Sequence, residues 1–131
     1  MFLSIKLIVM ILEDKTSKII GAFYNVYNKL GYGFLEKVYE NALIIELKKY
    51  SFDVKRQHPI TVYYENVPVG EYFADIVVDD SIIIEIKTAE TLVQAHEFQL
   101  LNYLKATKTE IGLLLNFGKK AEIRRKIFTN E

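Results

Sequence analysis

Tyr72-Phe73-Ala74-Asp75-Ile76-Val77-Val78-Asp79-Asp80-Ser81-Ile82-Ile83-Ile84-Glu85-Ile86-Lys87 decides how the rest of the chain is read. Two β-branched and aromatic runs, Tyr72 to Val78 and Ile82 to Ile86, flank a tight Asp79-Asp80-Ser81 connection and read as paired strands. Ile82-Ile83-Ile84 is apolar at consecutive positions. A strand apolar on both faces is covered on both sides, which places this one near the centre of a sheet.

Three polar residues interrupt that pair. Glu85 and Lys87 are two apart, so they share a strand face with Ile86 opposed, and a tight hairpin brings Asp75 beside them. Burying an unpaired carboxylate costs several kcal/mol, and even a good partner does not always recover it. A hard divalent cation supplies a reason for such convergence, since Mg²⁺ takes one or two carboxylates plus water and substrate phosphate. The ion lowers the pKa of bound water and stabilises charge on a phosphodiester in flight. Lys87 would then hold or activate the attacking water, or neutralise the transition state. The D-x₉-E-x-K spacing also arises by chance. A solvated strand face with Asp75 at a strand end accounts for the same letters, and both readings stay open on the pattern alone.

Towards the N-terminus, Ile19, Ile20, Phe23, Val26, Tyr27 and Leu30 recur at helical spacing and predict a helix from Thr16 to Leu30. Gly31-Tyr32-Gly33 ends it, because glycine supplies the backbone freedom of a helix terminus. A second helix is expected from about Leu35 to Tyr50, with Val38, Tyr39, Ala42, Leu43 and Leu47 inward. Glu36 shares a face with Gly33 and Tyr39 and stands near that helix start, where the dipole alone would favour an acid. Phe52 to Lys55 and Ile60 to Tyr64 read as short strands, and Glu65-Asn66 as a turn.

On the C-terminal side, a third helix is expected from about Thr91 to Ala106, with Thr91 and Gln94 at capping-box spacing. His96, Gln99 and Tyr103 share one of its faces. Gln99 and Tyr103 can orient a phosphate or a water, or simply flank the apolar Leu100, Leu101 and Leu104; His96 reads as a surface or supporting residue rather than a ligand. Ile111 to Phe117 is an apolar strand and Glu122 to Phe128 an edge strand. Lys119, Lys120, Arg124, Arg125 and Lys126 form a basic cluster able to grip phosphates, although such runs are usually just solvated. The order is two helices, about four strands, a helix, then one or two strands. This is an α/β (α+β) domain, a mixed central sheet flanked by helices.

The whole chain, 131 residues with no repeat or long linker, fits one domain. It has no cysteine, which excludes disulfides, thiolate zinc sites and cysteine nucleophiles, and fits a cytoplasmic location. Two histidines, His58 and His96, are too few for a three-histidine metal site. Seventeen basic and seventeen acidic residues balance, which counts against tight non-specific nucleic-acid binding. It leaves a nuclease open, because a bound cation reverses the local field. Phe2 to Leu12 is almost entirely apolar but shorter than the about 20 residues a bilayer span needs. Glu13-Asp14-Lys15 follows where a signal peptide would show small residues. Met10 as the true start, or a segment docked on the core, is expected, and no membrane partner. Gly31-Tyr32-Gly33 fails as a dinucleotide loop, since Glu36 takes the third glycine's place and a helix precedes it.

Leu30-Gly31-Tyr32-Gly33-Phe34-Leu35-Glu36-Lys37-Val38-Tyr39-Glu40-Asn41-Ala42-Leu43 resembles the signature of the GxxExxY proteins, small bacterial and archaeal members of the PD-(D/E)XK nuclease superfamily. The likeness continues, in order, through Val69 to Asp75, Ile84 to Lys87, Gln99 to Thr107 and Gly112 to Gly118. It covers about residues 16–128, within a domain taken as 16–131 after an apolar extension at 1–15. The resemblance implies a restriction-endonuclease-like core and Mg²⁺- or Mn²⁺-dependent hydrolysis of nucleic acid, DNA first. It implies that Asp75, Glu85 and Lys87 are catalytic and that Gln99 and Tyr103 supply a Q-x₃-Y motif. It further implies that Glu36, Asp75, Glu85 and the Ile86 carbonyl hold the metal. Two positions depart from the family pattern: Tyr32 stands where proline is common, and Phe73 where arginine is common. The second removes a phosphate contact and keeps open a non-catalytic module that binds nucleic acid or protein. The surplus of tyrosines suggests a homodimer, which light scattering would test.

Overall fold

The computed structural model describes residues 3–128. In chain order the elements are α1 (Leu3–Leu30), α2 (Glu36–Lys48), β1 (Val54–Tyr64), β2 (Val67–Val78), β3 (Ile82–Lys87), α3 (Gln94–Thr107), β4 (Ile111–Phe117) and β5 (Ala121–Ile127). The five strands form one mixed sheet in the order β1-β2-β3-β4-β5. Only β3 and β4 run parallel, from Ile82↔Ile111 to Lys87↔Asn116, and α3 is the crossover that a parallel pair requires.

The run of isoleucines on β3 explains the layering. Ile82, Ile84 and Ile86 join Leu113, Leu115 and Phe117 of β4 beneath Ile19, Phe23 and Val26 of α1 and Tyr39, Leu43 and Leu47 of α2. Ile83 and Leu114 face the other way, with Ile60, Ala74 and Val77, under Leu100, Tyr103 and Leu104 of α3. The mixed sheet covered by helices on both faces is therefore as the alternation predicts.

Gly31 and Gly33 adopt φ of 68° and 112°, the left-handed conformations that end α1. Tyr39 locks this corner: its hydroxyl donates to the Gly31 carbonyl at 2.7 Å and accepts from Phe34 N–H at 3.3 Å. Its ring stacks on Phe117 at 4.3 Å. Gly31 and Tyr39 thus orient α2 against the sheet.

Several element boundaries differ from expectation. Val54 and Lys55 of the first expected segment and Ile60 to Tyr64 of the second belong to one strand, β1. As an edge strand it tolerates Pro59, and Gln57 at φ 47° takes up the irregularity between them. Glu65 and Asn66, at φ 49° and 66°, make the expected two-residue turn. The third helix starts at Gln94 and not at Thr91. His96 Nδ1, in place of the expected Thr91–Gln94 pair, accepts the Val93 N–H at 3.2 Å.

α1 is longer than predicted. The apolar extension continues the same helix, and Ile5 to Ile11 along it include side chains 44% to 70% exposed, so the core is met only from Leu12 onward. Met1 and Phe2 lie outside the described residues. Among those described, no helix is long and apolar enough to cross a membrane.

Candidate metal centre

The β2–β3 ladder runs through Val78↔Ile82, Val77↔Ile83 and Ile76↔Ile84. Beyond it, side chains take over from backbone. Ile86 N–H donates to Asp75 Oδ2 at 2.8 Å, and Asp75 N–H donates to Glu85 Oε1 at 3.2 Å. Each carboxylate thus satisfies an amide of the opposing strand, which explains how a polar pair survives at this depth.

The strand also changes face here. Ala74 packs under α3 while Ile76 packs under α1 and α2, although a regular strand would put positions two apart on one side. On the other flank, β1 pairs Arg56↔Ile76 and His58↔Ala74 but skips Gln57. The Gln57 amide instead donates to Glu40 Oε1 at 2.8 Å and reaches Asp75 Oδ1 at 3.4 Å. Local irregularities of this kind re-aim side chains beside functional sites.

The electrostatics of the pair are lopsided. Glu85 is 6% exposed. Burial, and then the charge of Asp75, push its carboxyl up to about 9; the Asp75 N–H bond and the charge of Lys87 pull the other way without prevailing. At neutral pH Glu85 therefore keeps its proton against Asp75. Burial and then the Glu85 charge also raise the Tyr103 phenol, while the hydrogen bond from Gln99 Nε2, at 2.9 Å, lowers it. Gln99 and Tyr103 of α3 are thus bonded to each other, and the phenol feels the charges of Glu85 and Asp75.

Lys87, half-buried, lies on the Glu85 side of β3, in register with Asn116. Asn116 is wholly buried and ties down the segment that follows Lys87. It donates to the Ala89 carbonyl at 2.9 Å and to Glu122 Oε1 at 3.0 Å, and accepts Ala89 N–H at 2.8 Å. Glu122 in turn accepts Leu92 N–H at 3.1 Å.

Glu36 does not join the pair. It is the first residue of α2 and exposed, and among the described residues no three His, Asp or Glu side chains gather in a way that could hold a metal ion. The helical acid turned towards the site is Glu40, one turn further on. It is 4% exposed and is held by Lys37 Nζ at 3.0 Å, Arg56 at 3.2 Å and Gln57. Its position among Leu43, Ile44 and Leu47 on the buried stripe is the sequence signal for it. His96 serves the helix start. The basic cluster is partly spent on ion pairs, with Lys126 Nζ at 2.5 Å from Glu97 and Arg124 at 3.6 Å from Glu122.

The carboxyl groups of Asp75 and Glu85, beside backbone carbonyls, form a donor set of oxygens. That set fits Mg²⁺ or Mn²⁺, which accept few carboxylates and fill their shell with water.

Residues 13–126 match the PD-(D/E)XK nuclease superfamily. No curated protein matches the sequence. Among solved structures the chain is similar to the crystal structure of SSO0001, at TM-score 0.56 and 23% identity over 72% of this chain. It spans 50% of that protein's length, so the likeness carries the fold alone. With the match running from Glu13 of α1 through α2, α3 and the sheet to within one residue of the end of β5, the Asp75/Glu85 seam included, the chain belongs to the PD-(D/E)XK nuclease superfamily.

Proposed function

We propose that Asp75, Glu85 and the Ile86 carbonyl hold one Mg²⁺ or Mn²⁺ and that the chain hydrolyses nucleic-acid phosphodiesters, with DNA as substrate. The observation that carries this reading is the buried pair itself: each carboxyl accepts an amide of the opposing strand, and burial, then the charge of Asp75, keep Glu85 protonated up to about 9. A divalent cation is the partner that would let both ionise. When bound, the cation supplies Lewis acidity and a water of lowered pKa.

The chain's own groups cover the remaining needs. Lys87, on the Glu85 side of the strand, would neutralise a non-bridging phosphate oxygen or hold the attacking water. Tyr103 accepts its hydrogen bond from Gln99, which leaves its hydroxyl proton for a phosphate oxygen. Asp75 and Glu85, each bonded to an amide of the opposing strand, are pre-positioned. Gln57 steadies Asp75 from the Glu40 side. The same reading places the chain among the GxxExxY proteins, as a homodimer whose mass light scattering would give.

A non-catalytic module that binds nucleic acid or pairs with protein is the second reading, favoured over a nuclease by the zero net charge and by Phe73. A cleavage panel of linear, branched, single- and double-stranded substrates with Mn²⁺ separates the two. Cleavage lost in Glu85→Ala and in chelator is the expected result. An intact panel with well-folded wild type overturns the enzyme reading.

A further inference from the structure

Because β2 pairs with β3 only at Ile76–Val78, the rest of the β1–β2 hairpin projects beyond the central sheet as an arm beside α3. Between arm and helix lies a cleft of about 890 Å³, lined from the arm by Tyr63, Val69 and Tyr72 and from α3 by Phe98, Gln99 and Tyr103. Its aromatic rings are unusually open: Tyr63 is 63% exposed, Phe98 56% and Tyr72 49%. Large rings normally gain by burial, so a cleft that leaves three of them in water offers stacking surfaces to something else.

Three further observations say what that is. The cleft approaches the carboxylate pair at Tyr103, whose phenol is raised by burial and by the charges of Glu85 and Asp75. Tyr103 takes its hydrogen bond from Gln99 in the same cleft, Tyr72 lies three residues before Asp75, and its ring centroid is 5.8 Å from that of Tyr103. Its charged lining is Lys105 and Lys108 with no acid, a local excess of positive charge in a chain of zero net charge. Asn102, beside Gln99, adds a side-chain amide that both donates and accepts, as the edges of bases require.

We propose that this cleft binds an unpaired stretch of nucleic acid, bases stacked on Tyr63, Tyr72 and Phe98 and phosphates met by Lys105 and Lys108, and that it leads the strand to the Asp75/Glu85 pair. Base faces are hidden in an intact duplex and open only in single strands, flaps or frayed ends. The preferred substrate is therefore unpaired. The link to cleavage rests on the metal-dependent reading above, whereas strand binding in the cleft does not. A second copy of the chain is the competing occupant, but it would not call for an acid-free lining that carries Lys105 and Lys108.

The test uses the full-length Glu85→Gln variant in chelator, so that cleavage plays no part. Fluorescence anisotropy follows a labelled oligothymidylate and, separately, a blunt duplex of equal length. The expected result is at least about tenfold tighter binding of the single strand. Phe98→Ala and Tyr63→Ala should each weaken it by about fivefold or more. Lys105→Ala combined with Lys108→Ala should shallow the salt dependence by about two ions. Both aromatic positions are exposed, and unchanged melting temperatures will show that the fold is kept.

Equal affinity for strand and duplex, or no loss in Phe98→Ala, overturns the proposal. So does concentration-dependent self-association that Phe98→Ala dissolves, because a second copy would then fill the cleft. If metal-dependent cleavage persists while strand preference fails, this inference alone falls. If the cleft binds strand and no substrate is ever cut, the cleft stands and the enzyme reading falls.

Discussion

Glu85→Gln should make the metal-free protein more stable, and increasingly so as pH rises. The Glu85 carboxyl moves from an ordinary value of 4.5 to about 9 on folding. Between those limits the native state holds a proton that the unfolded chain has released. The unfolded state then binds fewer protons, and stability falls with rising pH. Near pH 4.5 the penalty vanishes; at pH 7 it reaches about 3 kcal/mol, and it keeps growing towards pH 9. A glutamine escapes it. Its amide oxygen can accept the Asp75 N–H that Glu85 Oε1 now accepts, and its NH₂ can donate to the Asp75 carboxylate in place of the acid proton. In a domain of this size, about 3 kcal/mol corresponds to a melting temperature higher by about 10 °C. Thermal and urea melts of wild type and variant in chelator at pH 5, 7 and 9 measure the difference. A gap that widens with pH is expected. A gap that stays flat, or a variant less stable at every pH, would refute the burial and charge argument for the pair.

Other perturbations probe the frame around the site. Gly118→Ala would put a Cβ 2.1 Å from the Ala89 carbonyl oxygen, so it should cost about 2 kcal/mol or more and loosen the segment after Lys87, read by urea denaturation. Asn116→Ala removes three hydrogen bonds from a wholly buried position and should cost about 2–4 kcal/mol. Amide exchange should then quicken at Ala89 and Leu92 before the rest of the sheet. Tyr39→Phe keeps the stacking on Phe117 but leaves the Gly31 carbonyl without its donor, a loss of about 1–2 kcal/mol with unchanged metal affinity.

The layered fold was legible because its signals are periodic. Three successive isoleucines on β3 can only belong to a strand covered twice, and the stripe Ile19, Phe23, Val26 has no exposed alternative. Asp75, Glu85 and Lys87 were legible as polar intrusions into such a pattern. What the sequence hid depends on single residues leaving a regular path. The positive φ of Gln57 and the face change between Ala74 and Ile76 put Asp75 into the seam, and no local propensity announces either. Glu36 stands out by its three-residue spacing from Gly33 and Tyr39, while only its spacing to Leu43 and Leu47 separates Glu40 from a surface glutamate. The start of α3, at Gln94 and not Thr91, is hidden for a similar reason. Thr91 has capping spacing, but its hydroxyl is engaged by Glu122, 31 residues away, and His96 caps in its place. The cleft beside α3 depends on how far the β1–β2 hairpin overhangs its neighbour, a matter of register that alternation alone does not fix.

Isothermal calorimetry of Mn²⁺ binding at pH 7, run in two buffers of different ionisation enthalpy, bears most directly on Asp75 and Glu85 as joint ligands. One ion per chain should bind with release of about one proton, the one Glu85 holds, and Asp75→Asn should abolish the heat. Binding that frees no proton and survives Asp75→Asn, or no binding at all, would contradict a cation shared by these two side chains.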